Sequence, residues 1–412
     1  MTTRRFGERE VRMKFPLRLG AVLMVVLLLA AACGNDDKKE SDDSDAGSSL
    51  PTEIGEGEGE LDLIAWSGYV EDGSNDPNYD WVTPFEEETG CKINVKYGDT
   101  SDEMVTSMRQ GGGALYDGVS ASGDASNRLI AGGDVAEVNI DLIPGYADVM
   151  ESLQEPPHNT VDGKHYGVPY LWGPNVLMYN TDVVTETPTS WDITWEADSP
   201  YAGKITAYDS PIFIADAALY LKTQNPDLGI TDPYELTTEQ LDAAVELLKQ
   251  QSSMVGRYWA AYSDEIDGFA SGDLAVGTAW PYQVNVLQSD KKPIEAVIPE
   301  EGATGWADTW MMSSNAPHPN CMYLWMEYTM RPEVQEKAAE WFGGTPSSTA
   351  ACPALKEAIG ESAETVYHCG DENFLSEISL WKTPLPDCGD DRGEECMDYS
   401  IWTQKWTEIR GS

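Results

Sequence analysis

The chain has 412 residues, of which 71 are Asp or Glu and 26 are Lys or Arg, so its formal net charge is −45 at pH 7. This charge excludes DNA or RNA as a general partner, because a phosphate backbone needs a basic face. We interpret the dispersed acidity as a salt-adapted, hydrated surface and not as evidence for a cationic ligand. The 41% of apolar residues, with 14 tryptophans, suffice for two folded lobes.

The first 32 residues have the organisation of a cleaved export signal. Six basic residues precede a 14-residue apolar stretch at 19–32, which is shorter than the ~20 residues of a membrane-spanning helix. The last three residues of this stretch are alanines, and they are followed by Cys33, the position that is acylated in a bacterial lipoprotein. We predict a lipoprotein signal peptide at 1–32 and a protein held outside the cell membrane by a lipid on Cys33 alone. The alternative is an ordinary signal peptide with an incidental cysteine.

Residues 33–60 follow as an acidic, Gly- and Ser-rich segment with almost nothing apolar. Such a segment cannot bury enough surface to offset its ordering entropy, so we predict a disordered, extended tether. The folded part is expected to begin at Leu61, where an alternating and then apolar run predicts a buried strand that ends at Trp66.

The remaining chain alternates strand and helix patterns, which predicts α/β lobes with mainly parallel sheets flanked by helices. Strands are predicted at 61–66, 91–97, 116–120, 204–208 and 272–277, and helices at 101–110, 215–221, 238–251, 322–330 and 334–342. A new start near residue 167 and a return after about 306 predict two hinged lobes with a cleft between them. The first would comprise 61–173 and 305–347, and the second 174–304 and 348–412.

Apart from Cys33, the chain has six cysteines, an even number that favours disulfides in an exported protein. Six cysteines allow 15 pairings, so the sequence leaves their connectivity open. Closeness along the chain suggests Cys352–Cys369 and Cys388–Cys396, which would leave Cys91 to meet Cys321. A metal site would be the competing interpretation, but no CxxC or paired Cys/His spacing supports zinc.

Little in this sequence indicates a catalytic site. The four histidines have no zinc-protease spacing, and neither a GxSxG elbow nor a phosphate-binding GxxxxGK[ST] loop occurs. The glycines at 111–113 follow a predicted helix and are interpreted as a turn. The acidic stretch 71–80 could supply oxygen ligands to calcium, but its spacing fails the EF-hand pattern and a solvated loop is the simpler interpretation. We therefore expect no enzyme, no metal and no cofactor.

A series of ordered landmarks resembles the spermidine/putrescine-binding proteins of ABC importers, within the type II periplasmic-binding fold. The landmarks are IAWSGYV at 64–70, YD at 116–117, VPYLWG at 168–173, PTSW at 188–191, YD at 208–209, AW at 279–280 and GWAD at 305–308. Each is weak alone, and their order and spacing carry the resemblance. It implies two α/β lobes joined by crossover strands, a small-molecule solute, and a membrane permease with its ATPase as partner. We expect the protein to act as a monomer.

The resemblance also implies a set of solute-binding residues. Aromatic faces would contact the methylene chain and the cationic ends of a polyamine, and carboxylates would bind its ammonium groups. Carried over by position, the candidates are Trp66, Ser67, Tyr69, Ser122, Asp124, Asp209, Trp280, Trp306 and Asp308. Without the resemblance, the tryptophans could be core residues and Asp209 could be a helix N-cap.

Several positions depart from the pattern of that family. Asp124 stands where an aromatic residue is usual, Phe213 replaces an acidic residue, and Phe342-Gly343-Gly344 replaces a tyrosine. Lys382 stands where a neutral amide is usual, and it would repel a polyamine if it faced the cleft. A receptor for an amino acid, betaine or sugar derivative is therefore the alternative within the same class. A secreted hydrolase or an adhesion lipoprotein is an alternative from a different class.

Overall fold

The computed structural model describes residues 50–411, so the predicted signal peptide and Cys33 lie outside the described residues. The strands are β1 (Glu60–Trp66), β2 (Lys92–Gly98), β3 (Gly118–Ala121), β4 (Thr160–Val161), β5 (Lys164–His165), β6 (Val168–Pro174), β7 (Val176–Asn180), β8 (Ile205–Tyr208), β9 (Val255–Trp259), β10 (Val276–Ala279), β11 (Ile294–Val297), β12 (Ala303–Met312), β13 (Thr345–Pro346) and β14 (Ile378–Leu380).

The helices alternate with these strands. They are α1 (Val82–Thr89), α2 (Ser101–Arg109), α3 (Gly123–Ala131), α4 (Glu151–Gln154), α5 (Asp192–Trp195), α6 (Ile214–Gln224), α7 (Thr238–Ser252), α8 (Tyr262–Ser271), α9 (Pro281–Ser289), α10 (Pro319–Thr329), α11 (Pro332–Phe342), α12 (Cys352–Ile359), α13 (Ser362–Thr365), α14 (Glu372–Glu377) and α15 (Tyr399–Arg410). The helices predicted for 101–110, 238–251 and 334–342 are confirmed within a few residues of their predicted ends. The glycines at 111–113 form the tight turn after α2, with positive φ at each of the three.

Two mixed sheets organise these elements, and we call them, with their helices, the first and the second lobe. The first sheet has the order β13-β6-β12-β3-β1-β2, with β14 beside β12, and the second has the order β11-β7-β10-β8-β9. Strands β1, β2 and β3 are parallel, as are β8, β9 and β10. Strand β12 runs antiparallel to β3 and β6 but parallel to β14, and β7 runs antiparallel to β10 and β11. The two-lobed α/β fold is confirmed, but each sheet is mixed because strands that cross between the lobes enter in the opposite direction.

The crossings between the lobes lie side by side. Strand β6 of the first sheet continues through Asn175 into β7 of the second, and the chain returns from β11 into β12. Asn175 donates from its backbone N to the carbonyl of Thr304 at 2.7 Å, and from Nδ2 to Thr304 Oγ1 at 2.7 Å. The two crossing segments are therefore hydrogen-bonded to each other where they pass from one lobe to the other.

The C-terminal part of the chain is divided between the lobes, in contrast to the expectation that 348–412 belongs to the second. Strand β14 pairs with the first residues of β12, and α12 packs on α11, so this portion lies with the first lobe. Beyond it, α15 packs on α7 of the second lobe, where Lys405 pairs with Asp242 at 2.8 Å. Pairing with β12 was not visible from the sequence because β14 has only three residues.

The ordered chain also begins earlier than the composition indicated, because residues 50–59 are held against the first lobe. Glu58 accepts hydrogen bonds from the backbone N–H groups of Asn320 at 3.0 Å and Cys321 at 2.9 Å, and Gly55 N donates to Asn320 Oδ1. These N–H groups belong to the first turn of α10, where a helix has no internal acceptors. The prediction of disorder up to residue 60 was wrong for this stretch, since an acidic side chain satisfies a helix terminus.

Three disulfides join all six cysteines, in the pairs Cys91–Cys321, Cys352–Cys369 and Cys388–Cys396. Their sequence separations are 230, 17 and 8 residues, and the first bridge links the start of β2 to the first turn of α10. The pairing suggested by closeness along the chain is confirmed. Only the first bridge constrains distant parts of the chain.

We expect the double replacement of Cys91 and Cys321 by alanine to destabilise the protein more than the double replacement of Cys388 and Cys396. The loop-entropy difference between separations of 230 and 8 residues corresponds to about 3 kcal/mol in the free energy of unfolding. Denaturant unfolding of the two variants measures this difference. Equal losses would contradict the entropic explanation, and alkylation of the denatured, unreduced protein should find none of these six thiols free.

Candidate functional site

A buried carboxylate, Asp308, lies in the middle of β12. The pairing of β12 with β6 shifts register beside it: Ala307 pairs with Trp172 and Thr309 with Pro169, so two residues of β6 lie opposite Asp308. This is a bulge in β6, and bulges are frequent beside functional sites. Every residue of β12 is buried, yet Asp308 lines a cavity to which Trp280 of the second lobe also contributes.

Two hydroxyl groups from the first lobe hold this carboxylate. Tyr69 donates from its OH to Asp308 Oδ2 at 2.6 Å, and Ser122 donates from Oγ to Asp308 Oδ1 at 2.5 Å. Tyr69 follows β1 and Ser122 follows β3, and the carboxyl ends of these parallel strands lie at one edge of the sheet. Burial raises the pKa of Asp308 to about 7, against the lowering effect of both hydrogen bonds and with a further increase from Asp124.

Aromatic rings enclose the space in front of Asp308. This inner cavity is lined by Trp66, Ser122, Trp280, Trp306, Asp308, Phe342 and Trp381. The rings of Trp66 and Trp280, from opposite lobes, meet edge to face with their centroids 5.7 Å apart. Phe342 meets Trp306 in the same way at 5.5 Å. The inner cavity is thus an aromatic box with a single carboxylate.

Two glycines make room for the ring of Trp306. A Cβ atom on Gly173 would lie 2.7 Å from Trp306 Cζ2, and one on Gly344 would lie 2.8 Å from Trp306 Cη2. Any side chain at either position would collide with the indole. Gly344, in the segment that replaces the expected tyrosine, therefore leaves the space that Trp306 occupies.

A second cavity, which we call the outer cavity, adjoins the first. It is lined by Trp66, Ser67, Gly98, Asp99, Ala260, Tyr262, Trp280, Tyr282 and Phe342. Trp66, Trp280 and Phe342 line both cavities. Ala260, Tyr262, Trp280 and Tyr282 belong to the second lobe, so both cavities lie between the lobes.

The sequence of residues 80–360 matches the family described as bacterial extracellular solute-binding protein. The chain belongs to this family. Its members bind solutes and are not enzymes, which agrees with the architecture of two lobes around an enclosed aromatic cavity.

Individual relatives support the same assignment. The chain is 27% identical over 338 residues to the putrescine/agmatine-binding protein of Pseudomonas aeruginosa, covering 74% of this chain and 86% of the relative. It is 25% identical over 346 residues to the spermidine/putrescine-binding periplasmic protein 1 of Haemophilus influenzae, covering 83% and 87%. The fold matches the spermidine/putrescine ABC transporter substrate-binding protein PotD of Streptococcus pneumoniae, with a TM-score of 0.64, 19% identity and coverage of 85% and 97%.

Most of the solute-binding residues expected from the sequence lie together. Trp66, Ser67, Ser122, Trp280, Trp306 and Asp308 line one or both cavities, and Tyr69 supports Asp308 from behind. In this solute-binding protein, the only described His, Cys, Asp or Glu cluster with metal-ligand spacing consists of Asp62, Asp117 and His318. In this cluster, Asp117 accepts hydrogen bonds from Asp62 N at 2.7 Å and from His318 N at 2.6 Å. Its two carboxylate oxygens thus bind backbone N–H groups and connect parts of the fold.

Three charged residues considered from the sequence are engaged elsewhere. Asp209 accepts hydrogen bonds from Trp406 Nε1 and Arg410 Nε, each at 3.0 Å, on α15. Asp124 is buried and accepts from Ser101 Oγ at 2.8 Å, and burial raises its pKa to about 6. Lys382 pairs with Asp232 at 2.9 Å and also with Glu235. None of the three lines either cavity.

The sequence reasoning missed seven residues that line the cavities: Gly98, Asp99, Ala260, Tyr262, Tyr282, Phe342 and Trp381. Phe342 was considered only as part of the segment that replaces a tyrosine, and Trp381 was not considered. Asp99 could have been found, because it follows β2 at the same sheet edge as Tyr69. The two tyrosines belong to α8 and α9 of the second lobe, and the sequence has no signal for which residues of these helices face the first lobe.

The pKa of Asp308 predicts a pH dependence of stability in the solute-free protein. Because its folded-state pKa, about 7, exceeds that of an unfolded aspartate, the folded state holds the proton more tightly. The contribution of Asp308 to stability should therefore fall as the pH rises from about 4 to about 7 and then level off. Asp124 contributes in the same direction, so the measurement compares the wild type with Asp308→Asn. If thermal unfolding of both responded equally to pH, the elevated pKa would be refuted.

Proposed function

We propose that this protein is the extracytoplasmic solute-binding component of an ABC importer, and that its solute is a small amine of the putrescine and spermidine class. The single observation that carries this proposal is the carboxylate of Asp308 at the base of an aromatic box. Ammonium groups pair with carboxylates, and aromatic faces attract cations while they contact methylene groups. The names of the two relatives described above fit the same class of solute.

Solute capture would proceed by closure of the two lobes. Trp66 and Trp280 lie on different lobes, and their edge-to-face contact exists only when the lobes are together. A solute between them contacts both lobes in this state alone, so its binding shifts the population toward the closed form. The closed form would then dock on a membrane permease, whose ATPase drives transport.

The position of the protein outside the membrane follows from the same proposal. No helix in residues 50–411 combines the length and the apolarity that a membrane span requires. We propose that a lipid on Cys33 anchors the protein and that the acidic segment after it serves as a tether. Such a tether would keep the monomeric binding protein close to its permease and raise its local concentration there.

Isothermal titration calorimetry with putrescine, agmatine, spermidine, amino acids, betaines and sugars tests the solute class. We expect micromolar or tighter binding of at least one polyamine and a loss of affinity on the order of 100-fold in Asp308→Asn, since a buried charge partner is removed. Asp209→Asn is the matched control and should bind normally, because its carboxylate faces α15. Binding of a sugar or amino acid with no response to any amine would overturn the proposed solute class.

The affinity for a polyamine should also rise with pH. Only ionised Asp308 attracts an ammonium group, and its pKa of about 7 leaves most of it protonated at pH 6. Between pH 6 and pH 8 the affinity is expected to rise about tenfold, while the solute amines stay protonated. The titrations should use Asp308→Asn as the reference, whose residual affinity should show no such rise. A flat wild-type profile would exclude a titrating Asp308 from the site.

A further inference from the structure

The two cavities share three aromatic residues, and each has one carboxylate of its own. Asp308 lines only the inner cavity and Asp99 lines only the outer one, while Trp66, Trp280 and Phe342 line both. From one cavity to the other, the order of chemical groups is therefore carboxylate, aromatic rings, carboxylate. A linear molecule with a cation at each end and methylene groups between them has the same order of chemical groups.

The carboxylate of Asp99 is available to such a molecule. Asp99 lies between the end of β2 and the start of α2, and its backbone N–H donates to Glu103 Oε2 at 3.2 Å. Among the described residues, none donates a hydrogen bond to its side chain and none forms an ion pair with it. The nearby ammonium of Lys96 pairs with Glu103 instead, at 3.6 Å.

The second lobe adds negative charge near Asp99. Burial, Glu103 and Asp264 raise the pKa of Asp99, and Asp264 lies in the first turn of α8 on the opposite lobe. Arg257 donates to the backbone carbonyl of Asp264 at 2.7 Å and forms no ion pair with its carboxylate. Like charges on the two lobes disfavour the closed state, and a cation near Asp99 would offset their repulsion.

We propose that Asp99 is a second ammonium subsite, so that a linear diamine binds with one end at Asp308 and the other at Asp99. Its methylene chain would lie along Trp66, Trp280 and Phe342. This inference rests on the proposed function. The resemblance implied Asp209 as a carboxylate that binds an ammonium group, and the inference assigns that role to Asp99 of the first lobe instead. Asp209 cannot serve without breaking its contacts with Trp406 and Arg410.

The subsite has a consequence for specificity. An amine that carries a carboxylate at its other end would bring a third negative charge toward Asp99 and Asp264. A monoamine of the same length would leave Asp99 unpaired and the repulsion across the cleft uncompensated. The closed state thus selects for a second positive charge, in addition to the one that Asp308 binds.

Calorimetry with putrescine and n-butylamine tests the subsite, because the two have the same four-carbon chain and differ in one ammonium group. The wild type should prefer putrescine, and Asp99→Asn should weaken putrescine binding about fivefold, the upper range for a solvent-accessible ion pair, with little effect on n-butylamine. Asp99→Glu retains the charge and should keep most of the preference. Asp141→Asn, an exposed aspartate of the first lobe, controls for net charge and should change nothing.

The outcomes separate this inference from the proposed function. If the wild type binds putrescine and Asp99→Asn binds it equally well, the subsite is refuted and the proposed function stands. Equal weakening of putrescine and n-butylamine in Asp99→Asn would also refute the subsite, since it would indicate a structural role. If the wild type binds neither amine nor spermidine, both proposals fail. Thermal unfolding of each variant checks that it is folded.

Discussion

The hydrogen-bonded carboxylate of Asp308 is the interaction on which the arrangement of the cleft depends. Tyr69 and Ser122 reach it from the ends of two parallel strands, and a bulge in the neighbouring strand β6 lies opposite it. A buried charge is costly without partners, so these two hydroxyl groups make the site possible. The pKa of Asp308 stays raised in spite of these hydrogen bonds. A cation that enters the empty site would therefore stabilise the ionised carboxylate.

The aromatic residues around Asp308 link the stability of the fold to its proposed function. Trp280 packs edge to face on Trp259 at 4.9 Å and on Tyr208 at 5.4 Å within the second lobe, while its contact with Trp66 crosses the cleft. Trp381 extends this cluster by stacking on Tyr208 at 5.8 Å. Because the core of the lobe fixes these rings, the cavity wall is rigid before a solute arrives, which lowers the entropic cost of binding.

Much of the fold could be predicted from the sequence because its elements have strong local patterns. The alternation in β1, the periodicity of α7 and the spacing of the six cysteines each follow from nearby residues. The composition of residues 50–59 wrongly predicted disorder. Glu58 is held by the N-terminus of α10, which lies far away in sequence. The three-residue β14 had no pattern of its own and depends entirely on β12.

The sequence by itself determined the class of fold, the family and most of the aromatic residues of the cleft, because these are encoded in local patterns and ordered landmarks. It could not determine which carboxylates face the cleft. Asp209 and Asp99 both follow strands, yet the first is held by α15 and the second lines the outer cavity. The direction of a side chain depends on the elements packed against it, and only the tertiary structure brings α15 to one aspartate and leaves the other open.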